Sequence, residues 1–317
     1  MKIKNTIKKA LAVLFIAVLS VNCKKVKEDN SDCGIFIRFT YTLNPDGTDK
    51  FSSSVQKLTI FVFNEAGHLV QEIEKTGPFW KDYRVQLNLP AGVYSFVVWG
   101  NLSDETPLSI GAGREMDRGL ELRTPTTNLV ETHPQPLFWG TAQKINVKVL
   151  NNQEVVVDMM KDTKSVKVIF HDVPASANTA GQFVCRIEAV NGDYNFQNTI
   201  MPHSRKLTYI PQRSFNNNIL TNDFVTMRLF DYNAATESSL CQSRLILEYI
   251  PDDGSPPMII MNISLTDIIK KQPEYKNANF IIDDVFILEF YIDYTFWNYT
   301  VTINGWIVSE GQTIIVG

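Results

Sequence analysis

The chain is poor in cysteine and histidine. Four cysteines among 317 residues exclude a disulfide-stapled scaffold, in which cross-links replace a core too small to hold the fold. The four histidines, His68, His133, His171 and His203, are scattered, with no i,i+4 pair and no H-E-x-x-H run to ligate zinc. A G-x-S-x-G nucleophile elbow and a phosphate-cradling P-loop are both missing. An enzyme is therefore not expected, nor a metal or other cofactor. Basic charge is also short. Lys and Arg number 30 against 34 Asp and Glu, and four of the lysines lie within the first 22 residues. The remainder is acidic and lacks the clustered cations that bind a phosphate backbone, so nucleic acid is not an expected partner. Only one long apolar run occurs, and it stands at the N-terminus.

Two polar stretches look chemical at first sight. Asp283 and Asp284 adjoin in a strand-like pattern, where neighbours face opposite sides. They make a poor acid/base pair and are expected at a loop edge or solvated. Asn44–Asp49 (NPDGTD) lacks the acidic ladder and distal Glu of a calcium loop and is expected to be a tight turn.

The N-terminal run carries more information. Lys2, Lys4, Lys8 and Lys9 precede Ala10–Val21, about 12 apolar residues. That is too short for a bilayer helix, which needs about 20, but it fits the h-region of an export signal. Leu19-Ser20-Val21-Asn22-Cys23 resembles a bacterial lipobox, with the leucine one place further back and Asn22 where a small residue is usual. Residues 1–22 are thus expected to be a lipoprotein signal peptide. Cys23 would be the thiol that carries diacylglycerol, a palmitate-type anchor. More than one acyl chain gives stable attachment at about 0.8 kcal/mol per buried methylene. Residues 23–33 would form the lipidated tether, charged and nearly free of apolar side chains. Cys33 closes it, and its redox state stays open.

Beyond the tether the periodicity is that of strands. YRVQLNLP sets Tyr83, Val85, Leu87 and Leu89 on one face; IFIRFTYTL aligns Ile35, Ile37, Phe39 and Tyr41; SVKVIF aligns Val166, Val168 and Phe170. KINVKVL, FVCRIEAV, RLILEYI and VFILEFYIDY are further strands. Turn residues separate them, as in Asn191-Gly192-Asp193 and Pro251-Asp252-Asp253-Gly254. One short helix is expected at the capping box Ser264-Leu265-Thr266-Asp267, ending before Pro273. Many short strands with turns between them point to an all-β sandwich or barrel.

Length favours two units, divided near Asp158–Lys164 into residues 34–160 and 161–317. Both halves open with a comparable strand. Residues 102–138, rich in Gly, Pro, Thr and charge, look like a long excursion between strands. Cys185 and Cys241 each share a strand face with apolar residues and look like small core hydrophobes. A bridge between them stays open.

Several segments together resemble the FimB-type fimbrial anchor lipoproteins of Bacteroidetes. These are SDCGIFIRFTYTLN (Ser31–Asn44), VQKLTIFVFNEAGHLV (Val55–Val70), LPAGVYSFVVWGN (Leu89–Asn101), PLFWGT (Pro136–Thr141) and YTVTINGWIV (Tyr299–Val308). The resemblance implies two tandem transthyretin-like, Greek-key β-sandwiches. It also implies an outer-membrane lipoprotein at the base of a fimbrium, holding the shaft subunits and limiting shaft length. Joining would follow the physics of β-augmentation. With the N-terminus held by lipid, the last segment is the expected joining element: Tyr299, Val301, Ile303, Trp306 and Val308. Whether it donates or accepts a strand stays open. A surface glycan-binding lipoprotein is the alternative, in which Trp80, Trp99, Trp139, Trp297 and Trp306 would stack on sugar rings.

Cys23→Ala is expected to abolish incorporation of labelled palmitate and partition into the outer-membrane fraction. Unchanged labelling would remove Cys23 as the lipid site.

Overall fold

The computed structural model describes residues 34–102, 108–110, 120–122, 128–148, 152–175, 181–229, 242–275, 280–293 and 298–312. Cys23, Cys33, Cys241 and Trp297 lie outside the described residues. The first part of the chain forms β1 (Ile35–Leu43), the single helical turn α1 (Phe51–Ser54), β2 (Lys57–Asn64), β3 (Leu69–Thr76), β4 (Arg84–Leu87), β5 (Gly92–Gly100), β6 (Leu108–Ile110), β7 (Leu120–Leu122), β8 (Leu129–Val130), β9 (Phe138–Val147) and β10 (Gln153–Lys161). The rest forms β11 (Thr163–His171), β12 (Gly181–Val190), β13 (Asp193–Tyr194), β14 (Lys206–Tyr209), β15 (Gln212–Asn216), β16 (Ile219–Met227), β17 (Ser243–Pro251), β18 (Met258–Ser264), α2 (Leu265–Lys271), a 3-10 turn, β19 (Val285–Asp293), β20 (Asn298–Ile303) and β21 (Trp306–Gln312). The chain is all-β, as its periodicity predicts. The expected helix is α2, with the Ser264 side chain capping the Asp267 amide.

The first sheet runs β3-β2-β5-β9-β10-β1-β4. β9 and β10 meet only through Met160–Trp139 and Lys161–Phe138, so the sheet turns a corner there. Gly140 permits it: a Cβ would stand 2.6 Å from Val157 Cγ1. The two leaves then pack face to face. Ile35, Ile37, Phe39, Tyr41, Val85, Leu87, Val155 and Val157 meet Leu58, Ile60, Val62, Phe96 and Val98 in one buried cluster. On β1 and β4 the inward positions are the ones that alternation predicts.

The second packing sets a six-stranded sheet, β15-β16-β11-β19-β20-β21, against a five-stranded one, β18-β17-β12-β14-β8. Val166, Val168, Phe170, Phe286, Leu288 and Phe290 face Phe183, Cys185, Ile187, Leu245 and Leu247 across the core. Cys185 is a buried free thiol, and burial pushes its pKa up. The opening strands correspond: β1 pairs in parallel with β10, and β11 with β19.

The two packings share a buried seam. All of Leu58 to Phe63 is buried, because β2 is covered on both faces. Phe61 and Phe63, with Val97, Trp99, Leu137 and Trp139, belong to the second cluster, not the first. Phe196 wedges against Phe61 and Phe63 at ring distances of 4.9 and 5.4 Å. The indole N–H of Trp139 donates to the Phe196 carbonyl at 3.0 Å.

Residues 102–138 are more than an excursion. β8 adds in parallel to β14, and β7 pairs with β13. The expected boundary at 160/161 falls one residue before the end of β10, and β8, which precedes it, adds to a sheet of the second packing. Between β10 and β11 stands one residue, Asp162, fully buried and accepting from Asn198 Nδ2 at 2.7 Å. Lys164 is buried as well and donates to Asp284 at 3.1 Å. Asp284 also meets Lys161 at 3.8 Å and accepts from the Tyr41 hydroxyl at 3.0 Å. Burial pulls the Lys164 pKa down against the pull of Asp284. Burial and the neighbouring carboxylate both push the Tyr41 pKa up. Asp283 and Asp284 do sit at the loop edge before β19, but Asp284 is clamped rather than solvated. Asn44–Asp49 is the tight turn expected, with Gly47 at φ 64° donating to the Asn44 carbonyl at 3.0 Å.

Phe196→Ala should remove the wedge and leave a cavity in the seam, costing about 3–5 kcal/mol. A urea titration should show a lower midpoint; an unchanged midpoint would show that the seam contributes little.

Candidate subunit interface

The last hairpin is built by an Asn-Gly turn. Asn304 and Gly305 have φ of 49° and 77°, the left-handed pair whose twist matches that of the flanking strands. β20 then places Tyr299, Val301 and Ile303 in the core at 5%, 0% and 3% exposure. The Tyr299 hydroxyl donates to the Ile259 carbonyl at 2.9 Å. Its ring lies over Gly311, where a Cβ would stand 2.1 Å away.

β21 follows a different logic. Its register with β20 shifts between Val301 and Thr302, so that Thr302 pairs with Ile307 and Val301 with Ser309. The irregularity leaves Ile307 turned outward at 59% exposure and Trp306 at 77%. Val308 is half-buried against the core. Ser309 donates its hydroxyl to the Ile260 carbonyl. The five residues singled out from sequence thus split: three are core, Val308 is intermediate, and Trp306 is exposed. Alternation missed Ile307. The run Trp306-Ile307-Val308 was the available signal, since three successive apolar side chains of a strand cannot all face one core.

β21 is the terminal strand of its sheet. Exposed terminal strands usually carry charge or other guards against pairing. β3, at the edge of the first sheet, has Glu72, Glu74 and Lys75; β21 has only Glu310. Beside β21 opens a groove of about 270 Å³, lined by Asn262, Ile263 and Ser264 of β18, Asp267, Ile268 and Lys271 of α2, Arg244 of β17, and Ile307 and Val308. Arg244 is held there by the Asn262 carbonyl at 2.6 Å. The arrangement is an apolar edge with an adjoining polar-rimmed groove. It offers main-chain pairing rather than bond-making chemistry.

The tryptophans form no sugar-binding platform among the described residues. Trp99 and Trp139 are buried in the seam. Trp80 is 64% exposed, but its neighbour Tyr83 meets it edge-on, at 4.7 Å and 85°. Trp306 stands at the turn of the last hairpin.

The family described as "Fimbrillin-A associated anchor proteins Mfa1 and Mfa2" matches residues 29–310. The chain belongs to this family. The fimbrial anchor protein Mfa2 from Porphyromonas gingivalis shares the fold at TM-score 0.69 and 16% identity, over 88% of this chain and 99% of that one. A candidate adhesin from Bacteroides ovatus aligns at TM-score 0.68 and 17% identity, over 90% and 97%. A candidate polysaccharide-binding protein from Bacteroides thetaiotaomicron aligns at TM-score 0.64 and 18% identity, over 87% and 98%. No curated protein sequence matches the chain. As a member of the anchor family, the protein is a fimbrium-associated surface protein, and the family is structural rather than enzymatic.

Gly311→Ala should push the Tyr299 ring off its seat and destabilise the protein by about 1–3 kcal/mol. Thermal unfolding should report a lower midpoint; a wild-type midpoint would show that the ring has free room to move.

Proposed function

We propose that the chain is a lipid-anchored subunit of the outer membrane, standing at the base of a fimbrium, where it holds the shaft by β-strand interactions and limits shaft length. The observation that carries this reading is the family match over residues 29–310, which begins just after the lysine-rich leader, apolar run and Cys23. In this reading Cys23 bears the lipid and residues 24–33 lift the body from the membrane. The two packings act as sandwich domains in series, divided near residue 160 except that β7 and β8 pair with strands of the second.

The hairpin bears on the direction of joining. Donating β21 would give up its pairing with β20, the half-buried Val308 and the Ser309–Ile260 hydrogen bond. Donating the hairpin would also withdraw Tyr299, Val301 and Ile303 from the core, at about 1.5–3 kcal/mol for each large side chain. Accepting a strand along β21 gives up none of that burial. β21 is therefore the acceptor edge, with main-chain hydrogen bonds supplying affinity and Trp306 and Ile307 supplying apolar contacts beside them. The groove next to the edge receives alternate side chains of the incoming strand.

Deleting the gene should leave fimbriae shed into the medium and abnormally long. Ile307→Lys, which changes an exposed side chain, should leave the protein folded and membrane-bound yet reproduce the shedding. Cell-bound fimbriae of normal length in the deletion strain would overturn the anchor role. Normal fimbriae with Ile307→Lys alone would overturn the β21 edge.

A further inference from the structure

A chain tied to a membrane at one end and to a filament at the other is under tension, and the strand directions say how that tension would be carried. β1 enters at Ile35 and pairs in parallel with β10 over registers from Ile35–Gln153 to Leu43–Met160. The chain leaves this packing at the far end of β10. A pull on the N-terminus and an opposite pull beyond Lys161 therefore act on opposite ends of two parallel neighbours. Every rung of the ladder is loaded at once, in shear. A pull on the same end of both strands would instead open the rungs one after another.

The second packing repeats the arrangement. β11 enters at Thr163 and pairs in parallel with β19 over seven registers, from Ser165–Val285 to His171–Tyr291. β20 runs antiparallel to β19, and β21 antiparallel to β20. The end of β21 therefore leaves the sheet at the end opposite to the start of β11, and the pull again runs along the strands. Between the two ladders the chain has one residue, Asp162, which is buried and bonded to Asn198. No slack linker intervenes.

Side chains reinforce both ladders near each end. Across β1 and β10, Arg38 meets Glu154 at 3.0 Å. Further along, Asp158 accepts from the Thr40 hydroxyl and the Thr42 amide, each at 2.9 Å, and from the Thr42 hydroxyl. That last clasp sits where the register shifts between Thr40 and Leu43, the place where main-chain rungs are interrupted. At the second ladder, Lys164 meets Asp284 at 3.1 Å where the strands begin, and His171 meets Glu289 at 3.0 Å where they end.

We infer that the two parallel ladders, β1 with β10 and β11 with β19, are a pair of shear clamps in series that make the protein a load-bearing link between its N-terminus and its last hairpin. The inference deepens the anchor reading and rests on it for the source of the load. The mechanical property belongs to the ladders themselves and is measured without membrane or fimbria. Forced unfolding is governed by the unfolding barrier rather than by equilibrium stability, so force must be measured directly.

The test is single-molecule pulling of the exported chain, residues 23–317, in two geometries. In one, handles sit on the two chain ends. In the other, they sit on the N-terminus and on an azide-bearing residue replacing Asn152, which is exposed and lies beside Gly34 at the same end of the parallel pair. End-to-end rupture is expected at several-fold higher force than rupture from the N-terminus and position 152. Asp158→Ala is expected to lower the end-to-end force while leaving the released chain length unchanged. Equal forces in the two geometries of the wild-type chain would overturn the inference, whether or not the Asp158 variant folds. Failure of the lipid or fimbrial reading would leave the force ratio untouched, so the two failures are distinguishable.

Discussion

Much of the architecture converges on the carboxylate of Asp284. It meets Lys161 at the end of β10 and Lys164 near the start of β11, and accepts the hydroxyl of Tyr41 from β1. One side chain thus joins the closing strand of the first packing, the opening strand of the second, and the segment leading into β19. Lys164 is fully buried, so the pair cannot be dissolved cheaply. Removing one partner from a buried ion pair leaves an uncompensated charge, at about 3–5 kcal/mol. The aromatic seam around Phe196 supplies apolar burial between the packings, and the Asp284 cluster fixes their register.

That constraint gives the fold a direction. β10 passes into β11 through one buried residue, and each packing starts on a strand with a parallel partner. β1 and β21 then open and close one continuous body. The family match and the sequence of the leader are consistent with such a body, and neither contains its strand directions.

Much of the fold was legible before any coordinates. Alternation in IFIRFTYTL, SVKVIF and VFILEFYIDY names the inward residues, because a half-buried strand exposes every second side chain. It fails at TIFVFN, where β2 is covered on both faces and no polar face remains to mark one as outer. It fails again at residues 102–138, whose two- and three-residue strands β6, β7 and β8 are too short to carry a period. Alternation places Asp284 at the loop edge but does not show that it is clamped, because its partners Tyr41, Lys161 and Lys164 are remote in sequence or on other strands. At the candidate interface, Trp306 and Val308 were visible as apolar residues of a terminal hairpin. Ile307 was not, because a register irregularity decides which side of β21 faces out.

The sequence by itself determined the strand content, the turns and the capped helix α2. Each is a local matter of side-chain period or φ preference, settled within a few residues. Only the tertiary structure decided that β2 lies between two cores, that residues before 160 build sheets after it, and that β21 is an apolar edge beside a groove. These depend on which distant strands become neighbours. The pairing of β1 with β10, or of β11 with β19, spans more than a hundred residues, and no window on the sequence is that wide.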